Sequence, residues 1–73
     1  MIDVRRRDYL VAKALAYAIA AMERLPFYER ELSDQNDMKT LFDTIVIGDF
    51  DREQLTNAAR AKFLGEPSQS ESQ

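Results

Sequence analysis

Between residues 4 and 25 the apolar positions Val4, Val11, Leu15, Ala18, Met22 and Leu25 fall on one line, and from Val11 onward they alternate spacings of four and three. That is the seam pattern of an α-helix. The pattern predicts a helix over about 4–25 with this seam turned toward the core. Asp3 is its N-cap and Pro26 its stop, because proline lacks the N–H and its ring clashes with a continuing helix. Alanine stands at 12, 14, 16, 18, 20 and 21. Such a run raises intrinsic helicity and lets another helix approach closely.

Pro26 to Leu32 reads as a connector, with a single helical turn opened by Pro26 and anchored by Phe27 and Tyr28. A second helix is expected over about 34–47. Ser33 or Asp34 would cap it, and Met38, Leu41, Phe42, Ile45 and Val46 follow i, i+3, i+4, i+7, i+8 as its inner face. Gly48 would end it. The β-branched stretch Thr44 to Ile47 resembles a strand, yet no second strand is present to pair with it, so it is expected to stay helical or frayed. The third helix is expected over about 51–64, with Asp51 as N-cap, Gln54 at N3 and Phe50 stapling onto Leu55. Leu55, Ala58, Ala59 and Phe63 form its inner face, and Gly65 closes it. Residues 66–73 contain no large apolar side chain and are expected to form a disordered tail.

Three helices joined by short connections make an all-α, antiparallel three-helix bundle in one domain over 1–65. Their lengths conflict. At 1.5 Å per residue the first helix reaches roughly 33 Å, whereas the other two reach about 20 Å each. Two short helices cannot cover a long one on every side. Leu10, Ala14, Tyr17 and Ala21 widen its apolar arc on one flank, and Ala12, Ala16 and Ile19 on the other. The expectation is a homo-oligomer in which Ala12, Ala16 and Ile19 meet a second copy, most simply as a homodimer.

Composition narrows the chemistry. The 73 residues include no cysteine and no histidine, so disulfides, thiolate metal sites and imidazole proton transfer are excluded. Charge is −3 overall, with a pI of about 4.8. The halves differ: 1–32 carries six Lys/Arg against five Asp/Glu, while 33–73 carries four against eight. The longest apolar run, Ala14 to Met22, is too short for the eighteen or more residues of a membrane span. Arg5, Arg6 and Arg7 precede no cleavable segment, which sets the expected location as cytoplasmic.

One surface stands out on the face expected to lie opposite the seam: Arg6, Tyr9, Lys13, Tyr17 and Arg24 form a basic and aromatic stripe. Rings with neighbouring cations suit docking to a protein partner, or to phosphate with the help of Arg5 and Arg7. The plainer alternative is tyrosines packed at the bundle edge with ordinary solvated cations. Asp49, Asp51 and Glu53 alternate like the start of a calcium loop, but Gln54 and Arg60 stand where that loop needs glycine and a bidentate glutamate. No metal and no cofactor are expected. Helices two and three resemble a helix-turn-helix with Arg52, Asn57 and Arg60 as base readers, a generic likeness whose leading end is acidic. The acidic half could also mimic a nucleic acid, although capping explains Asp34, Asp37, Asp43, Asp49 and Asp51 with less. Ser33 has no base beside it, and Glu29 and Glu31 sit on a connector without an evident pocket. The expected function is non-catalytic: a small adaptor or regulatory subunit acting through helix–helix contacts, with a nucleic-acid-associated regulator as the alternative.

Overall fold

The structure is a computed structural model that describes residues 2–65. It is an all-α bundle: α1 (Val4–Arg24), α2 (Leu32–Thr44) and α3 (Asp49–Leu64), with a 3-10 turn at Phe27–Glu29 between the first two helices. The expected tail, 66–73, lies outside the described residues. α1 packs with both other helices, and more extensively with α3 than with α2.

The two ends expected from local chemistry form as anticipated. Asp3 is extended (φ −79°, ψ 174°), and its carboxylate accepts the Arg6 N–H at 2.9 Å. At the far end of α3, Gly65 takes φ +71°, where any Cβ would strain the backbone. The inner boundaries shift. α2 begins at Leu32 behind Glu31, which makes no side-chain cap, so Ser33 and Asp34 lie inside the first turn. It ends at Thr44, because Ile45, Val46 and Ile47 lose rotamer freedom in a helix; Ile45 is extended and Val46 and Ile47 lie outside any helix.

Gly48 therefore does not end α2; it precedes α3 as its N-cap, in an extended conformation open to any residue. Asp51 becomes a first-turn residue with Asp49, where both carboxylates favour the positive end of the helix dipole. The expected capping box is displaced by these three residues. Phe50 lies in the first turn at 70% exposure, and the connector's Phe27 and Tyr28 are likewise exposed rather than anchoring.

Four guanidinium contacts join the pieces. Arg30 donates from Nε to the Leu25 carbonyl and from Nη2 to the Glu23 carbonyl, both at 2.9 Å, satisfying acceptors that the end of α1 leaves open. Arg52 Nη2 donates to the Ile45 carbonyl at 2.9 Å, fastening the extended segment to α3. Arg60 Nη1 donates to Glu23 Oε1 at 3.0 Å, an ion pair between α3 and α1.

The core inverts the expected orientation of α1. Buried are Ala12, Ala16 and Ala20 from α1, Phe42 from α2, and Leu55 and Ala59 from α3. Tyr9, Leu15, Tyr17, Ile19, Ile45, Ile47 and Phe63 pack around them. The three alanines are spaced i, i+4, i+8, a single ridge low enough for the large side chains of the shorter helices to lie against. Small on the long helix meets large on the short ones. The seam of Val4, Val11 and Leu25 consequently faces outward, with Val4 60%, Val11 42% and Leu25 37% exposed. Of the inner face expected for the second helix, Phe42 is buried, Ile45 packs on the core and Met38 is half-buried, whereas Leu41 and Val46 are exposed and the polar Gln35, seven residues before Phe42, is buried instead. On α3 Leu55 and Ala59 are buried as expected and Ala58 is exposed.

Candidate functional site on the first helix

At about 100° per residue the buried alanines and the apolar seam lie on opposite sides of α1. The basic and aromatic stripe lies along the edge between them, beside the core rather than opposite it. Tyr9 and Tyr17 are half-buried against the core, and Tyr17 meets Phe63 edge-on with ring centroids 5.3 Å apart. Lys13 Nζ stands 5.8 Å from the Tyr17 ring and Arg6 Cζ 5.7 Å from the Tyr9 ring. Tyr9, Lys13 and Tyr17 line a shallow groove with Phe50, Asp51 and Gln54 of α3, and Arg6 and Arg24 lie outside that lining. The tyrosine rings thus contribute to the α1–α3 packing.

Ala12, Ala16 and Ile19, the flank expected to meet a second copy, belong to the protomer's own interior. Ala12 is fully buried, Ala16 is 5% exposed and Ile19 packs on the core. α2 and α3 both take that side because it is the one on which two short helices approach the long helix most closely.

What remains uncovered is the opposite side. From Leu10 through Ala14, Ala18 and Val11 to Met22, an arc roughly 120° wide carries apolar side chains along the whole helix, with Arg7 as its single charged residue. Leu10, Val11, Ala14, Ala21 and Leu25 are exposed, and Ala18 and Met22 are half-buried. At the C-terminal end the connector folds back beside this face. Glu31 donates its backbone N–H to Met22 Sδ at 3.5 Å, and Glu29 and Glu31 form one wall of a hollow floored by Ala18, Ala21, Met22 and Leu25. This contiguous apolar strip is the candidate contact surface. Its signal stood in the sequence as the four-three seam and was assigned to the wrong side of the helix.

The other candidate sites are largely occupied from within. Arg52 serves the Ile45 carbonyl and lies 6.0 Å from the Phe42 ring, and Arg60 pairs with Glu23, so two of the three base-reading groups are engaged by their own fold. Asp49 and Asp51 are first-turn residues of α3 and Glu53 lies in the next turn, and no group of three or more potential ligands is placed to hold a metal among the described residues. A hollow of about 260 Å³ lies where the three helices meet, between Ala16, Ala20, Phe42 and Thr56. It is smaller than the ~300–1,000 Å³ usual for ligand pockets. No described helix is long and apolar enough to cross a membrane. No family model, curated protein or solved structure matches the chain.

Proposed function

We propose that this protein is a non-catalytic interaction module, a small adaptor or regulatory subunit whose docking surface is the outer face of α1. One observation carries the reading: Val4, Leu10, Val11 and Leu25 face away from the bundle along one side of α1, while Ala12, Ala16 and Ala20 fill the inside. Burying one Val, Leu or Met side chain stabilises by about 1.5–3 kcal/mol, so a row of them left in water represents binding energy held for another helix. The sequence has no histidine and no cysteine, which supports a role without imidazole or thiol chemistry.

Photo-crosslinking tests the assignment. A photoreactive phenylalanine analogue is placed at Val11, on the outer face, and separately at Glu53, an exposed polar position of α3. Irradiation of the full chain in the cells that make it is expected to give a covalent adduct of discrete mass from position 11 and none from position 53. Equal, diffuse labelling from the two positions would overturn the reading.

A further inference from the structure

The arrangement of charge at the two ends of the outer face says what covers it. We infer that the occupant is a second copy of this chain whose α1 runs antiparallel to the first, an inference that rests on the docking role proposed above.

The spacing of the face is self-complementary under reversal. With a two-fold axis beside Ala14 and Leu15, Val4 lies opposite the second copy's Leu25, and Val11 opposite the second copy's Ala18. Such an isologous contact closes on itself as a dimer and leaves no unsatisfied face. Alanines at 14, 18 and 21 allow the close approach, while Val11, Met22 and Leu25 supply the protruding side chains.

Charge selects the direction. Arg7 is 65% exposed at the N-terminal end, where its guanidinium touches the adjacent Asp8 at 3.3 Å. The C-terminal end is walled by Glu29 and Glu31. The cation between them in sequence, Arg30, is folded onto the carbonyls of Glu23 and Leu25, which leaves that wall acidic. Antiparallel pairing brings Arg7 of each copy to Met22 and the acidic wall of the other, twice per dimer. Parallel pairing stacks Arg7 on Arg7 and carboxylate on carboxylate. The antiparallel direction also carries exposed Ile2 and Val4 to the end where the other copy exposes Phe27 and Tyr28.

The chain contains no cysteine, so single substitutions report geometry without background. In the antiparallel dimer two copies of residue 11 lie about 10 Å apart along the helix axis, outside the reach of a disulfide, and residue 11 faces residue 18. Sedimentation of the full chain is expected to show a dimer. Under mild oxidation, an equal mixture of Val11→Cys and Ala18→Cys chains is expected to give the 11–18 cross-link, and Val11→Cys alone is expected to give none. Arg7→Glu is expected to weaken dimerisation about tenfold, as does the double change Glu29→Arg with Glu31→Arg, and mixing the two variants restores it. A 11–11 cross-link would show parallel pairing and overturn the inference while leaving the docking face intact. A chain that stays monomeric up to hundreds of micromolar would overturn the second copy as occupant; a position-11 adduct of another mass would then assign the face to a different protein, and no adduct would remove both readings.

Discussion

The inner and outer faces of α1 are both apolar, and they do opposite things. The inner one is built from alanine, with Ala12, Ala16 and Ala20 at 0%, 5% and 2% exposure, and it binds two helices of its own chain. The outer one carries Val, Leu and Met, the residues expected to drive folding, and no other helix of the protomer covers it; the connector reaches it at Met22 through the Glu31 N–H. Hydrophobicity alone therefore does not choose the inside of a helix. Shape chooses it: where the partners bring Phe42, Leu55 and Phe63, the long helix contributes the surface that leaves room for them. Leu15, Tyr17 and Ile19 pack at the margins of the alanine ridge, and Val4, Leu10 and Val11 remain on the side where no other helix of this chain arrives.

The comparison can be broken from the inside first. Phe42→Ala removes the largest buried side chain of α2 and is expected to cost about 3–5 kcal/mol, much of what a chain this small can have, so urea titration followed by circular dichroism should show little folded protein. Ala12→Leu is next. Ala12 is fully buried, and added bulk pushes α1 from its neighbours, with an expected loss of about 1–3 kcal/mol and a matching drop in melting temperature. The same addition on the outer side, Ala21→Leu, should leave the isolated protomer's stability unchanged. If the two leucine variants melted alike at a dilution where the chain is monomeric, the assignment of faces would be wrong.

Smaller effects sharpen the picture at the ends. Asp3→Ala removes the carboxylate that accepts the Arg6 N–H and is expected to cost about 1 kcal/mol, read as fraying of α1 by amide exchange in residues 4–8. Glu23→Gln breaks the ion pair with Arg60, whose partners are 21% and 40% exposed, and is expected to cost less than about 1 kcal/mol, declining further as salt is added. A loss of several kcal/mol from that change would move the weight of α1–α3 packing from the alanine ridge to the ion pair.

Much of the candidate surface was legible as residues and illegible as orientation. The seam Val4, Val11, Leu15, Ala18, Met22 and Leu25 is visible from spacing, and so is the alanine flank, but periodicity marks two stripes without ranking them. Tyr17 was legible as an aromatic beside a cation, and it does lie near Lys13; its contact with Phe63, 46 positions later, was not. Arg52 and Arg60 read as possible base contacts, and both turn out to be engaged within the fold, Arg52 by the Ile45 carbonyl seven residues back and Arg60 by Glu23, 37 residues back. The acidic wall at Glu29 and Glu31 depends on how the connector folds back, which a run of Pro, Phe, Tyr and Glu does not disclose.

Local chemistry was sufficient for the all-α class, the Asp3 cap, the stop at Pro26 and the left-handed turn at Gly65, because each depends on backbone groups within a few residues. The boundaries around Gly48 were missed by two or three positions, since the β-branched Ile45, Val46 and Ile47 had two acceptable conformations and the Arg52 contact to Ile45 favours the extended one. Which side of α1 would be buried lay beyond any local rule. It depends on the shapes of all three helices at once, and packing settled it in favour of the smallest side chains.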